Sequence, residues 1–375
     1  MCLRVAILTR IEQDAYEQRI WQRWPSVHGE WRRIGARASG FMLRIDGALC
    51  HGATPETERL RVHVALAQVM PNPHDAGDIA PSLARLREVA RQAQALGVDV
   101  LVLPEYYLSG SSHDVWRLVH RHDPLGSTEE QPAWLAEIGA IARESAIAIV
   151  TGSAVLRVDD EAGSTLFNTA YFVDHTGAVL GSYTKRNLWH SERALLTRST
   201  DESHPPDRHP SLFVFETRRG LRVRASMLLC WDLMVPEAFL RLLSPSGPPA
   251  DLDEPDHWVG PDIVFAPTCW YADDSGPEAL AVNAECEAAC LDAVCVTRAM
   301  ENECYVCMCN AAGASDGTPR GLGRSSVNAP LLGCSARLPD AGEALLVHTL
   351  DMAVVRTARQ VFRLRHDRQN GIITA

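Results

Sequence analysis

The chain has 375 residues, of which 46% are hydrophobic and 22% charged, a composition typical of a folded globular protein rather than a disordered one. Its 36 basic and 47 acidic residues give a formal net charge of −11 at pH 7. This acidity argues against nucleic acid or an anionic membrane as the partner, because both require a basic surface. No apolar run approaches the ~20 residues of a membrane span, and the first ten residues do not read as a secretory signal.

Residues 1–60 show no clean hydrophobic period, and we expect them to be an N-terminal extension of unknown role before a domain spanning residues 61–375. From residue 61 onward, strand-like alternation interleaves with helical periodicity, which predicts a layered α/β domain. The predicted strands are residues 61–70, 98–103, 147–151, 167–173, 178–183, 212–216, 221–229, 263–266, 294–297, 305–310 and 345–350. The predicted helices are residues 83–96, 134–146, 236–243 and 278–292, with a surface loop at 244–261.

The chain contains 11 cysteines, and an odd number without a secretory signal favours free thiols in a reducing cytoplasm. The spacing Cys304-x-x-Cys307-x-Cys309 is compatible with a zinc site. However, zinc motifs usually pair two such clusters across a loop, whereas this run is apolar and uninterrupted. Because free cysteine behaves as a small hydrophobe, the sequence favours core packing for these thiols and for Cys286 and Cys290.

Lys185 is the only lysine among the 36 basic residues, and all the others are arginine. Lysine offers a compact amine whose pKa can shift, whereas arginine is bulky and permanently charged. The lone lysine is therefore either a chance surface residue or one with a function that arginine cannot perform.

Three residues with reactive side chains follow apolar, strand-like runs. Glu105 and Lys185 each end such a run, and Cys230 stands between a strand and a predicted helix, where a helix N-terminus stabilises a thiolate. Each has an ordinary explanation by itself, since strand-end charges and buried thiols are common. Together they supply a nucleophile, a base and a cation at strand ends, where α/β sheets bind ligands, which is the set required for acyl transfer.

These residues lie in sequence contexts that resemble the nitrilase superfamily, the carbon–nitrogen hydrolases. The resemblance covers about residues 61–365. The matching motifs, in chain order, are Leu103-Pro104-Glu105, Tyr183-Thr184-Lys185, His190-Ser191-Glu192-Arg193, Cys230-Trp231-Asp232 with Pro236-Glu237, and the run 297–302 with Asn310.

The resemblance implies an α-β-β-α sandwich that assembles as a homodimer or a higher homo-oligomer. It implies a cysteine nucleophile at Cys230, with Glu105 as general acid and base. Lys185 and the backbone N–H of Trp231 would stabilise the oxyanion, and Glu192 would orient Lys185 or the substrate amide. No phosphate- or dinucleotide-binding motif is visible, so we expect neither a cofactor nor a metal.

The bond that is cleaved remains open at this stage. Cys-Trp-Asp followed by Pro-Glu resembles the amidase branches more than the nitrilases, which tend towards Cys-Trp-Glu. We therefore expect hydrolysis of a small amide, with a nitrile or an N-carbamoyl compound as the alternative substrate and a catalytically silent scaffold as the non-enzymatic alternative. The aromatic residues beside the catalytic positions either line a substrate pocket or belong to the core; they are Tyr106, Tyr107, Trp189, Trp231 and Trp270.

Two rival sites are weaker. The run 313–317 matches the G-x-S-x-G pattern of serine hydrolases around Ser315, but the glycines and prolines after it oppose the helix that this motif requires. His113, His120 and His122, with Asp114 and Asp123, suggest a metal site. On a helix His122 would point away from the other two histidines, so a surface helix is the favoured interpretation.

Overall fold

The structure is a computed structural model. It describes residues 30–33, 42–45, 59–72, 78–123, 125–126, 132–161, 163–200, 211–243, 260–313 and 320–373. Most of the predicted loop at 244–261 and the serine of the G-x-S-x-G run lie outside these residues.

Five strands, at residues 30–33, 42–45, 154–160, 326–329 and 333–337, are not among the predicted ones, whereas the others lie at predicted positions. The strands of the described residues are numbered in chain order. They are β1 (Glu30–Arg33), β2 (Met42–Ile45), β3 (Arg61–Gln68), β4 (Val100–Val102), β5 (Ala148–Val150), β6 (Ala154–Asp160), β7 (Gly163–Val173), β8 (Val179–Thr184), β9 (Leu212–Glu216), β10 (Arg222–Met227), β11 (Ile263–Thr268), β12 (Tyr305–Asn310), β13 (Ser326–Ala329), β14 (Gly333–Arg337) and β15 (Ala344–Asp351).

The helices of the described residues are mostly short. They are α1 (Ala80–Ala95), α2 (His113–His122), α3 (Ala133–Ser145), α4 (Pro236–Arg241), α5 (Gly276–Val282), α6 (Cys286–Glu301), α7 (Met352–Val361) and α8 (Leu364–Gln369). None of them is long and apolar enough to cross a membrane.

The strands form two mixed sheets. The first has the order β1-β2-β15-β3-β4-β5-β7-β6, with β8 also paired to β7, and the second has the order β14-β13-β12-β11-β10-β9. The centre of each sheet is parallel: β3, β4 and β5 in the first, and β10, β11 and β12 in the second. From the segment before residue 61, β2 pairs in parallel with β15 at the edge of the first sheet.

Helices cover the outer face of each sheet, and the main core lies between the sheets. Successive residues of β3 alternate accordingly, because side chains of a strand point to opposite faces. Ala65 belongs to a core cluster with residues of α1 and α3, whereas Leu66 belongs to the cluster that contains Phe265 and other residues of the second sheet. Helix α6 packs on the outside of β12, β13 and β14. The fold is therefore the expected α-β-β-α sandwich.

One predicted strand and one predicted helix boundary are wrong. Residues 294–297, which include two valines and a threonine, belong to α6, and the predicted helix at 278–292 is interrupted after Val282. β-branched residues favour strands locally. Here Leu291, Cys295 and Ala299 recur every four residues and are all buried, so packing of that helical face against the sheet overrides the local preference.

Core packing is confirmed for three of the late cysteines, whereas Cys286 and Cys290 are only half-buried. Cys304, Cys307 and Cys309 are fully buried, and the last two lie on β12. Cys309 contacts carbonyl oxygens of the facing sheet, those of Ala67 and Val102. These thiols fill the space between the sheets.

Candidate active site

Three strand ends meet at one edge of the sandwich. Glu105 follows β4, Lys185 directly follows β8, and Cys230 follows β10. Strand β8 runs in the direction of β4, because β8 is antiparallel to β7, which is antiparallel to β5. The carboxyl ends of these strands therefore lie on the same side, and all three residues line one cavity of about 160 Å³. The sequence prediction that they would converge agrees with this arrangement.

The ammonium of Lys185 is held between two carboxyl groups. Its Nζ lies 2.9 Å from Oε1 of Glu105 and 2.7 Å from Oε1 of Glu192, and the side chain is fully buried. Burial lowers the pKa of Lys185, but the two carboxylates outweigh it and hold the pKa well above its usual value. Lys185 is therefore a fixed positive charge.

The carboxyl group of Glu105 is buried and polarised from several sides. Oε1 also accepts a hydrogen bond from Asn168 Nδ2 at 2.9 Å, and Oε2 accepts one from the backbone N–H of Cys269 at 3.1 Å. Burial raises the pKa of Glu105 to about 7 against the opposing effect of Lys185. A carboxyl group with this pKa exchanges protons readily at neutral pH.

Cys230 begins a short 3₁₀ helix, Cys230–Met234, and two residues separate it from the end of β10. Its φ of +45° is unusual for a residue with a side chain and makes the sharp turn that exposes the thiol to the cavity. Its side chain lies next to Glu105, and burial together with that carboxylate raises the pKa of the thiol well above its usual value. At rest the sulfur is therefore protonated.

The side chain of Asp232 links this turn to the segment after Lys185 through hydrogen bonds. Its Oδ2 accepts hydrogen bonds from the backbone N–H of Leu229 at 3.1 Å and from Tyr183 Oη at 3.0 Å. Its Oδ1 accepts two more from Asn187, from the backbone N–H at 3.0 Å and from Nδ2 at 2.7 Å. The side chain is fully buried, and these four hydrogen bonds replace the water that its carboxyl group has lost.

Glu192 connects the lysine to the cavity wall. Besides Lys185, its Oε1 accepts a short hydrogen bond from the hydroxyl of Tyr106, and its Oε2 accepts one from the backbone N–H of Trp189 at 2.6 Å. Every one of these contacts restrains the position of the carboxyl group that holds Lys185.

Four of the five aromatic residues singled out in the sequence line the cavity: Tyr106, Trp189, Trp231 and Trp270. Tyr107 is the exception and belongs to the core, the other alternative that the sequence left open. Its ring is buried in the core, and its hydroxyl donates to the carbonyl of Ser82 in α1. Neighbouring residues of the turn after β4 point in different directions, which their sequence does not reveal.

Several residues of the site are missed by sequence reasoning. Asn168 and the backbone N–H of Cys269 bind Glu105, and Asp274 lines the cavity beside the tryptophans. Asn168 carries a detectable signal, because it is an amide side chain within the mostly apolar run Leu166–Val173 of strand β7. Nothing local distinguishes Cys269 or Asp274.

The proposed histidine site does not assemble in the described residues. The segment is helix α2, as predicted, with His113 against the ring of Trp116 and His120 near the carbonyl of Ser164. No group of three or more potential ligands among the described residues is arranged to hold a metal ion.

Comparison with known proteins decides the family. The carbon–nitrogen hydrolase family model matches residues 63–247 and 288–360, well over half of the chain. The chain belongs to the carbon–nitrogen hydrolase family.

This carbon–nitrogen hydrolase has recognisable but distant relatives. It is 27% identical over 309 residues to a protein of Pseudomonas protegens named "Hydrolase in pqqF 5'region", covering 82% of this chain and 89% of that one. It is 25% identical over 222 residues to the 2-oxoglutaramate amidase of Bacillus subtilis, covering 58% of this chain and 65% of that one.

Solved structures of similar fold include Nit3 from Saccharomyces cerevisiae, a member of branch 10 of the nitrilase superfamily. The TM-score is 0.60 at 19% identity, covering 81% of this hydrolase and 95% of Nit3. An amidase from Nesterenkonia sp. has a TM-score of 0.52 at 22% identity, with coverage of 80% and 95%. These likenesses agree with the α-β-β-α sandwich.

Proposed function

We propose that this carbon–nitrogen hydrolase cleaves the non-peptide C–N bond of a small amide through a thioester on Cys230, with release of ammonia or an amine. The observation that carries the proposal is the arrangement of Cys230, Glu105 and Lys185 around one buried cavity. A nucleophile, a proton acceptor and a fixed cation within reach of one another are the minimal set for acyl transfer.

In the first half-reaction, Sγ of Cys230 attacks the amide carbon while Glu105 takes the thiol proton. The C=O π electrons move onto the oxygen and form a tetrahedral oxyanion. The Lys185 ammonium is one candidate donor to that oxyanion, and the backbone N–H of Trp231 is the other. Trp231 stands at the start of the 3₁₀ helix, where a backbone N–H has no acceptor within the helix. A donor of this kind lowers the barrier by about 3 kcal/mol.

Collapse of the intermediate breaks the C–N bond. The protonated Glu105 gives its proton to the leaving nitrogen, and the acyl group remains on sulfur as a thioester. Glu105, again ionised, then takes a proton from water, and the resulting hydroxide equivalent attacks the thioester carbonyl. The carboxylic acid leaves, and the proton returns to the sulfur of Cys230. A carboxyl group with a pKa of about 7 suits both directions of transfer.

The amide is favoured over the nitrile for two reasons. The turn residue is Asp232 rather than glutamate, and a relative that matches much of the chain is named a 2-oxoglutaramate amidase. Nitrile and N-carbamoyl substrates are the competing outcomes of the experiment.

The test measures ammonia release from hexanamide, hexanenitrile and an N-carbamoyl amine, with Cys230→Ala and a matched control, Cys334→Ala. Cys334 is an exposed free thiol on β14, so Cys334→Ala controls for the effect of losing any one cysteine side chain. We expect turnover of the amide by the wild type and Cys334→Ala, and a loss of about 10³-fold or more in Cys230→Ala.

Mass spectrometry after reaction with chloroacetamide supplies a second readout, since the adduct should form on Cys230 ahead of the other thiols. Retained activity in Cys230→Ala would overturn the thiol mechanism and return attention to Ser315. Adducts spread evenly over the cysteines, with no turnover of any substrate, would favour the silent scaffold.

A further inference from the structure

The charges that line the cavity are unbalanced. Among the described lining residues, Glu105, Glu192 and Asp274 contribute three carboxyl groups, and Lys185 is the single basic residue. The Lys185 ammonium is fully buried and already bound to two of those carboxyl groups. A carboxylate on the substrate would therefore meet no uncommitted lining cation, and it would be repelled by the third carboxyl group.

Asp274 is the carboxyl group that the proposed chemistry does not use. It lies in the turn between β11 and α5, where its Oδ2 accepts the backbone N–H of Tyr271 at 2.8 Å. No other described residue donates a hydrogen bond to it. Burial raises the pKa of Asp274 to about 6, and the carboxyl groups of Glu287, Asp273 and Glu192 contribute, so at neutral pH the group is still mostly ionised, with or without the charge of Asp273.

The rest of the wall is aromatic. The ring of Trp231 lies between those of Trp189 and Trp270, with centroid distances of 4.2 and 5.6 Å. Trp270 is further fixed by a hydrogen bond of 2.6 Å from its Nε1 to Oε2 of the buried Glu287. Aromatic faces attract cations, most strongly for tryptophan, and the attraction grows when the site excludes water.

We propose that this pocket selects amides whose acyl chain ends in an ammonium group, which would lie against the tryptophan rings and pair with Asp274. The inference rests on the proposed amide hydrolysis and adds the substrate class. A neutral amide of the same shape is a poorer substrate, and an amide that carries a carboxylate is the poorest.

The first test compares three amides of similar size by kcat/KM for ammonia release from the wild-type enzyme. They are δ-aminovaleramide, which is cationic, hexanamide, its neutral isostere, and glutaramate, which is anionic. We expect the cationic amide to exceed hexanamide by about tenfold, a difference worth about 1.4 kcal/mol, and to exceed glutaramate by more.

The second test compares Asp274→Asn with the neighbouring Asp273→Asn. Both remove one negative charge from the same turn, but Asp273 is exposed and does not line the cavity. Asparagine at position 274 keeps a carbonyl oxygen for the Tyr271 N–H. We expect the ratio of kcat/KM for δ-aminovaleramide over hexanamide to fall towards one in Asp274→Asn and to keep its wild-type value in Asp273→Asn.

The outcomes separate this inference from the proposed function. Hydrolysis of all three amides at similar rates, or a preference for glutaramate, would overturn the charge selectivity and leave amide hydrolysis standing. An equal fall of the ratio in both variants would overturn the role of Asp274 as a direct contact. Failure to hydrolyse any amide, in a protein that hydrolyses the nitrile, would overturn the proposed function itself.

Discussion

The lone lysine and its two carboxyl partners show how much of the site depends on single residues. Lys185 is buried completely, and Glu105 and Glu192 bind its ammonium from two sides. The same burial that makes a charge expensive raises the pKa of Glu105 to about 7. Lys185 thus supplies a permanent cation, and Glu105 supplies an exchangeable proton.

The pH dependence of turnover follows from Glu105. In the proposed mechanism its carboxyl group must be ionised to accept the thiol proton, and its pKa is raised, so kcat/KM for hexanamide should rise as the pH increases through about 7. Lys185 adds no loss on the alkaline side near neutrality, because its pKa lies well above its usual value. Hexanamide is uncharged over this pH range, so the substrate itself does not contribute to the profile. A flat profile across pH 7, with circular dichroism showing an intact fold, would contradict Glu105 as the base.

Lys185→Arg tests whether charge alone is sufficient. The guanidinium keeps the charge but is larger and planar, and the side chain at this position has no exposed surface to expand into. We expect kcat to fall by about 10²-fold or more, which corresponds to the loss of one oxyanion donor. The exchange of Arg91→Lys on the exposed face of α1 is the control. Turnover near the wild-type rate in Lys185→Arg would argue against the oxyanion role.

At the scale of elements, the turn after β10 determines where the thiol points. Cys230 adopts a positive φ there, and Asp232 holds the turn through hydrogen bonds to Leu229 and to the segment of Asn187. The strand ends at Lys185 and Cys230 therefore cannot move independently. In the proposed mechanism Asp232 is a positioning residue, because it acts on Cys230 and Lys185 through the backbone of the two segments.

Asp232→Asn should disturb this turn specifically. All four groups that face the Asp232 carboxylate donate hydrogen bonds to it. The NH₂ group of asparagine cannot accept them, so the donors on that side would lose their acceptor. We expect kcat to fall at least about tenfold with a smaller change in KM, and the free energy of unfolding to fall by about 1–3 kcal/mol. Tyr183→Phe removes one donor and should give a milder effect.

Glu237→Gln, on the exposed surface of α4, is the matched control for Asp232→Asn. The rate of Cys230 alkylation separates positioning from stability, since it reports the turn directly. A loss of stability with unchanged kcat and alkylation rate would show that Asp232 supports the fold without positioning Cys230.

At the scale of the whole molecule, an aromatic cluster joins the two sheets. Phe172 of β7 is fully buried, and its ring centroid lies 4.6 Å from that of Phe213, 5.1 Å from Phe215 and 6.0 Å from Phe265, all three in the second sheet. Because β4 and β8 end on one sheet and β10 on the other, the site exists only while this packing holds.

Phe172→Ala should lower the free energy of unfolding by about 3–5 kcal/mol, since it removes a buried ring and leaves a cavity between the sheets. Phe362→Ala, at a position 42% exposed, should change it by no more than about 0.5 kcal/mol. Chemical denaturation of both variants provides the measurement. A small effect at Phe172 would mean that the two sheets repack around the lost ring.

Most of the elements, and the three residues that meet at the cavity, could be predicted from the sequence. Hydrophobic periodicity is a local property, so most strands and helices could be read directly, and the motifs around Glu105, Lys185 and Cys230 pointed to the family that the comparison confirms. The same local logic failed at residues 294–297, where β-branched residues lie on a helix whose buried face packs against the sheet.

The surroundings of Glu105, Lys185 and Cys230 could not be predicted, because they come from distant parts of the chain. Asn168 and Cys269 reach Glu105 from 63 and 164 residues away, and Asp274 joins the cavity from a third part of the chain. Such contacts depend on how two sheets pack and on the direction of each side chain after a strand ends, as the opposite directions of Tyr106 and Tyr107 show. Neither the packing of the sheets nor the direction of these side chains can be predicted from the spacing of residues along one segment, because both arise from contacts between distant segments.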